Sequence, residues 1–150
     1  MKFRMLPGLI VLLSASVLWA GGLRKGQARA GVMVTAIHHA TYIGGTFELG
    51  IGNRIALGGD ASVWLEGNGG MVLSPHLVYS FPLKVSRLEL FAGGGPLLAF
   101  GFKGGSDFRV KLFAGARYRL NAKTALFTRL VAETGDGDGL GGALGIDWRL

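Results

Sequence analysis

Three polar side chains near the middle of the chain are of the types that form a hydrolytic relay. Ser74 and His76 lie two residues apart, and Glu89 follows on the next apolar segment. In such a relay a histidine base activates the serine, and a carboxylate orients the histidine. On paired strands, Ser74 and His76 would share a face, with Glu89 roughly diagonal to His76. No oxyanion donor accompanies them, so the pattern favours ordinary buried polar groups over a catalytic site.

Other short motifs predict neither a metal nor a cofactor. Asp136-Gly-Asp138-Gly139 begins like a calcium loop, but the third oxygen ligand and the closing glutamate are missing, so we expect a turn. The three glycines at 93–95 open no helix, so they form no phosphate cradle, and we expect them to relieve crowding. His38 and His39 are adjacent and would point to opposite faces of a strand. The absence of cysteine excludes disulfides and thiolate sites.

The clearest structural signal is the alternating stretch from Asp107 to Leu120, DFRVKLFAGARYRL. A period of two residues is typical of a strand, because successive side chains point to opposite faces. Here one face is continuously apolar and the other carries five charges. The apolar face must therefore contact a protein core or lipid.

The composition favours lipid. The chain of 150 residues is 49% hydrophobic, only 17% charged and contains 27 glycines. An ordinary soluble domain carries about 25% charged residues. Beyond residue 30 no segment reads as a membrane-spanning helix. High apolarity spread over alternating positions is typical of a transmembrane β-barrel.

The first 30 residues are typical of a secretory signal peptide. Lys2 and Arg4 precede an apolar run at 9–20, and Ala28-Arg29-Ala30 is an A-x-A cleavage site. Cleavage after Ala20 and a retained membrane anchor are the alternatives. Without residues 1–30 the net charge falls from +7 to +2. The basic character therefore belongs mainly to the signal, and we expect no nucleic-acid partner.

Eight alternating segments divide the remaining chain. They predict an all-β, eight-stranded antiparallel up-and-down transmembrane barrel over residues 31–150. Pro75 and Pro96 cannot donate ladder hydrogen bonds, so we expect them at bulges or local breaks. Three tight connections would then lie on the periplasmic side with both chain ends, and four loops outside. The segments are about 32–39, 45–52, 55–66, 71–81, 87–102, 107–120, 123–134 and 140–150.

The closing segment GLGGALGIDWRL resembles the last strand of small OmpA/OmpX-type outer-membrane barrels, with apolar side chains at alternate positions up to Leu150. LFAGGGPLLAFGF at 90–102 and FAGARYRL at 113–120 are also similar to these barrels. The family usually ends in an aromatic residue, and this chain does not. The resemblance implies a bacterial outer-membrane location, contact with membrane lipid, and assembly by machinery that recognises the last strand. We expect a monomer.

Aromatic residues fit two girdles at the two membrane interfaces. Four fall on the predicted outward face near the periplasmic ends of the strands, and three fall near the outer ends. The first group is Tyr79, Phe81, Tyr118 and Trp148, and the second is Phe100, Phe102 and Phe108.

Charged residues on the opposite face predict an ion-pair network in the lumen. If the sixth and seventh segments form a hairpin, Lys111 lies directly opposite Glu133, and Arg129 could meet Asp147 diagonally on the next pair. An ion or solute path and a plug of side chains are both open, but the narrow interior of eight strands favours a plug. The remaining predicted members are Arg109, Arg117 and Glu89.

These patterns favour a non-enzymatic outer-membrane barrel with a structural or surface-interaction role. One alternative is a lipid-modifying enzyme, because some outer-membrane barrels are lipid A deacylases with His-x-Ser on one strand and Glu on the next. Here the order is Ser-x-His, and parity points the groups inward. The other alternative is a soluble lipocalin-like barrel, which would need its apolar faces inside.

Overall fold

The computed structural model describes residues 22–37, 40–64, 66–85, 87–135 and 139–150. Each strand pairs antiparallel with the next, and β1 also pairs with β8, so the sheet closes into a barrel. The predicted eight-stranded up-and-down fold is thus confirmed. The strands are β1 (Ala28–Ile37), β2 (Ala40–Gly50), β3 (Ile55–Trp64), β4 (Gly70–Phe81), β5 (Leu88–Gly101), β6 (Ser106–Arg119), β7 (Thr124–Thr134) and β8 (Gly139–Arg149).

Up-and-down order gives the barrel two distinct ends. The termini end holds residues 22–27, Leu150 and the turns at 51–54, 82–87 and 120–123. The loop end holds the described loop residues 66–69, 102–105 and 135, together with the ends of the strands that they join. In the 102–105 loop, Gly104 and Gly105 have φ values of 101° and 94°, which side chains rarely adopt. All connections are short, so little protein projects beyond the wall.

The outer wall is apolar along its length. In β4, buried and exposed residues alternate without a break, and the exposed ones are the large apolar side chains. Leu77 is 54% exposed, Leu112 54%, Leu130 69% and Leu144 65%. A band of this extent is covered by lipid in a transmembrane barrel. Apolar groups outside and charges inside are the reverse of the lipocalin arrangement, so that alternative is wrong.

The residues of both predicted aromatic groups are exposed, and all of them lie on the wall except Phe102, which lies in the β5–β6 loop. Tyr79, Phe81, Tyr118 and Trp148 lie near the termini end, where the Tyr79 and Phe81 rings meet edge to face at 5.2 Å. Phe100, Phe102 and Phe108 lie near the loop end. No helix in the described ranges is both long and apolar enough to cross a membrane.

The two prolines interrupt the wall at one level. The β4–β5 register runs from Leu73 opposite Leu98 to Leu77 opposite Gly94, which places Pro75 opposite Pro96. The ladder is missing between these points, because neither proline has an N–H to donate. The register is the same on both sides of the gap, so the feature is a local break. The bulge expected at Pro96 does not form.

Candidate functional site: the charged lumen

Arg117 organises the ion pairs nearest the termini end. Its guanidinium lies 2.6 Å from Asp147, 2.6 Å from Glu89 and 3.1 Å from Glu48. Arg29 reaches the same three carboxylates, at 3.5 Å from Glu48, 3.4 Å from Glu89 and 4.0 Å from Asp147. All five side chains are buried. This group, the termini tier, places two guanidiniums among three carboxylates.

In the middle of the lumen, basic side chains outnumber carboxylates. Lys111 Nζ donates to Asp60 at 2.6 Å, and Arg129 lies 3.1 Å from both oxygens of the same carboxylate. His76 Nδ1 is 4.0 Å from Asp60, and Arg129 also contacts the sulfur of Met33. This middle tier places two basic side chains, Lys111 and Arg129, on one buried carboxylate.

A third group lies beneath the loop end. Arg109 donates to Asp107 at 2.6 Å and to Glu133 at 3.2 Å. This loop tier is less buried than the others. Above it, Tyr42 and Trp64 meet edge to face at 6.0 Å in a vestibule of about 300 Å³. The lumen is therefore open to a small depth at the loop end.

Phenylalanine rings separate the termini tier from the middle tier. Arg117 lies 4.5 Å from the Phe91 ring centre, and Arg129 lies 5.0 Å from Phe113 and 5.3 Å from Phe127. Cations over ring faces are attracted by the ring quadrupole. A Cβ on Gly93 would lie 2.6 Å from Phe113 Cζ, so this glycine makes room for the ring.

The predicted pairings of the network need correction. Lys111 does lie opposite Glu133 in register, but its Nζ crosses the lumen to Asp60, and Glu133 pairs with Arg109 instead. Arg129 lies opposite Ala143 on β8, four residues from Asp147, so these two do not meet. In a narrow barrel a long side chain reaches the opposite wall as easily as the next strand.

The Ser74, His76 and Glu89 relay does not assemble. Glu89 lies near the start of β5, outside the paired β4–β5 residues on either side of His76. Its carboxylate accepts hydrogen bonds from Ser80 and from the two arginines of the termini tier. His76 Nδ1 contacts the backbone oxygen of Ser74 at 2.9 Å, and its ring packs against Phe113. The expectation that Glu89 lies diagonal to His76 is therefore wrong. The Ser74 hydroxyl is buried without a partner inside the wall, where acyl chains do not reach.

Three network members escaped the sequence reasoning in different ways. The alternation of β2 and β3 puts Glu48 and Asp60 on inward faces, but counting along a hairpin gives neither of them a specific partner. Arg29 was assigned to the signal peptide, although the alternation of β1 continues back to Ala28. The motifs at His38-His39 and Asp136–Asp138 lie outside the described residues. Within the described ranges, no three histidine or acidic side chains converge as a metal site.

The segment before β1 bears on where the signal is cleaved. Leu23 is 2% exposed, and Arg29 belongs to the termini tier. Cleavage after Ala30 would remove both, whereas cleavage after Ala20 keeps both. We therefore propose the earlier site and expect N-terminal sequencing of the exported protein to begin before Gly22. A first residue of Gly31 would contradict this proposal and restore the A-x-A assignment. Residues 1–21 themselves lie outside the described residues.

The closed barrel, apolar wall and charged lumen define the class of protein. It is a small transmembrane β-barrel of the bacterial outer-membrane type. No protein-family model matches the sequence, and no curated protein is significantly similar to it.

Solved structures of the same class are similar to the chain. The N-terminal β-barrel domain of Pseudomonas aeruginosa OprF has a TM-score of 0.75 at 13% identity, over 85% of this chain and 100% of that one. Neisserial surface protein A has a TM-score of 0.57 at 12% identity, over 83% and 94%. A de novo designed transmembrane β-barrel has a TM-score of 0.66 at 15% identity, over 85% and 98%. At these identities the likeness shows the fold alone.

Proposed function

We propose that this protein is a non-enzymatic, non-conducting barrel of the outer membrane that acts through its outer surfaces. The observation that carries the proposal is the filling of the lumen. Three ion-pair tiers and the rings of Phe91, Phe113 and Phe127 follow one another along the barrel axis. An eight-stranded barrel has room for little beyond its own side chains. Structural and surface-interaction roles therefore fit better than transport.

The absence of conduction is tested in planar bilayers. We expect no stable unitary currents from the folded protein, because permeation would require breaking several buried charge pairs at once. Arg117→Ala is the informative comparison, since it removes the guanidinium with the short contacts to all three carboxylates of the termini tier. Steady channels from the unaltered protein would contradict the plug.

A lipid-modifying enzyme is the second candidate, and the same preparation tests it. We expect no release of fatty acid from lipopolysaccharide or phospholipid, because Ser74 and His76 face the filled lumen. Release that Ser74→Ala abolishes would overturn the proposal in favour of the enzyme. Release that survives Ser74→Ala would place catalysis elsewhere and would equally contradict it.

A further inference from the structure

Exposed cations gather at the termini end of the barrel. Arg54 lies in the β2–β3 turn, Lys84 and Arg87 in the β4–β5 turn, and Lys123 in the β6–β7 turn, and all four are exposed. In the described part of the chain, no Asp or Glu side chain is exposed at this end. The three nearby carboxylates are buried in the termini tier. This rim therefore presents positive charge to whatever surrounds it.

A groove runs along the outer wall on the side of β5, β6 and β7. Its floor is formed by small side chains between larger ones, and it encloses about 500 Å³. That volume is in the range of small-molecule and cofactor sites. Strand register explains the shape, because Leu90 lies opposite Ala116 and Ala116 lies opposite Thr128. The exposed side chains that line the groove are Phe81, Leu90, Ala114, Ala116, Thr128 and Leu130.

The groove begins beside the β4–β5 turn, and the Tyr118–Leu126 pair lies between it and the β6–β7 turn. Phe81 is the last residue of β4 and lies opposite Leu90, and the turn with Lys84 and Arg87 joins their strands. Lys123 lies in the turn between the other two strands of the groove. An apolar channel with cations at its interfacial end matches a lipid with an anionic headgroup. We propose that this sector binds one anionic glycerophospholipid, with its phosphate at the cationic rim and an acyl chain along the groove.

A second copy of the chain fits the groove less well than a lipid. In a twofold dimer the same patch meets itself, so the turns carrying Lys84, Arg87 and Lys123 would approach their own copies. Like charges brought together at the membrane surface repel each other and oppose such a dimer. A phospholipid instead brings the opposite charge at the rim and an apolar chain below it.

The headgroup contact is tested by native mass spectrometry of the folded protein in detergent. The probe is an equimolar mixture of phosphatidylglycerol and phosphatidylcholine with matched acyl chains. We expect preferential retention of phosphatidylglycerol, falling roughly tenfold or more in Lys84→Gln/Arg87→Gln/Lys123→Gln, since each basic residue near a lipid surface contributes about fivefold. Lys103→Gln is the matched control, because this exposed lysine lies at the loop end, and we expect no change.

The groove contact has its own pair of variants. Ala116→Leu fills the floor, and we expect it to reduce phosphatidylglycerol retention several-fold. Ala132→Leu places the same side chain on the outward face of β7 near the loop end, and we expect no effect. The difference between folded and boiled mobility on a mild SDS gel confirms that each variant is folded.

Three outcomes would overturn the site. The first is equal retention of the two lipids by the unaltered protein. The second is a preference that the triple variant keeps. The third is dimerisation that Ala116→Leu disrupts without changing lipid retention, which would assign the groove to a second copy. Salt provides a check without any variant, because raising ionic strength must weaken phosphatidylglycerol retention selectively. Channel and hydrolysis assays are independent of all these results.

Discussion

Arg117→Met is expected to destabilise the folded barrel by about 3–5 kcal/mol, the usual cost of removing one partner from a buried ionic cluster. Methionine keeps an unbranched, flexible side chain close to the length of the arginine stem but removes the guanidinium and its charge. Glu48, Glu89 and Asp147 would then keep the longer contacts to Arg29, whose guanidinium lies 3.4–4.0 Å from them. The free energy of unfolding is measured by urea titration in lipid vesicles, with the gel mobility of folded and unfolded protein as the signal.

Arg119→Met is the matched control for this measurement. Arg119 lies on the same face of β6, two residues further on, but it is half-buried at the mouth of the barrel. Charges close to water are screened, so we expect a loss below about 1 kcal/mol. Equal losses in the two variants would show that water reaches the termini tier and that Arg117 is not the centre of a dry cluster.

Asp60→Asn is expected to lower the free energy of unfolding by about as much as Arg117→Met does. It leaves Lys111 and Arg129 facing each other without a counter-charge. Adding Lys111→Met should recover part of the loss, since one of the two stranded cations is then absent. We expect a coupling energy of about 1.5 kcal/mol or more in the double-mutant cycle, within the range found for residues in contact. The same urea titration measures all four proteins.

A second double-mutant cycle tests whether Lys111 pairs with its direct neighbour in the strand register or with the carboxylate that it contacts across the lumen. Lys111 and Glu133 are direct neighbours across the β6–β7 hairpin, yet Lys111 Nζ bonds Asp60 and Glu133 bonds Arg109. We therefore expect the Lys111–Glu133 coupling to be smaller than the Asp60–Lys111 coupling. The reverse order would show that the hairpin pair forms in the membrane and that the connection across the lumen does not.

The proposed plug of the lumen would leave the wall and the rim as the surfaces available for function. Lipid contact is unavoidable for a wall of exposed leucine, valine and phenylalanine side chains. The cations at the termini end and the Ala114–Ala116 groove make one sector of that surface different from the rest. A structural role in the bilayer and recognition of a particular lipid class are therefore compatible in one molecule.

The fold could be predicted from the sequence because the alternation that indicates a strand lies within each segment. The alternation in 107–120 sets which side chains face out, and the same rule applied to the other segments placed the apolar wall, both aromatic groups and the inward charges. Side-chain direction in a strand has a fixed period of two, so each segment carries its own evidence. Proline chemistry likewise predicted an interruption at Pro75 and Pro96. The form of this interruption, a gap without a register shift, could be seen only in the structure.

The partners inside the lumen were decided by the tertiary structure alone. Sequence reasoning pairs residues on adjacent strands, because hairpin register can be counted along the chain. Barrel closure instead brings Asp60 on β3 across to Lys111 on β6, 51 positions away. It also brings Arg29, at the start of the chain, to Glu89 and Asp147. The distance between facing walls depends on strand tilt and on the bulk of every inward side chain, and neither is a property of any single segment.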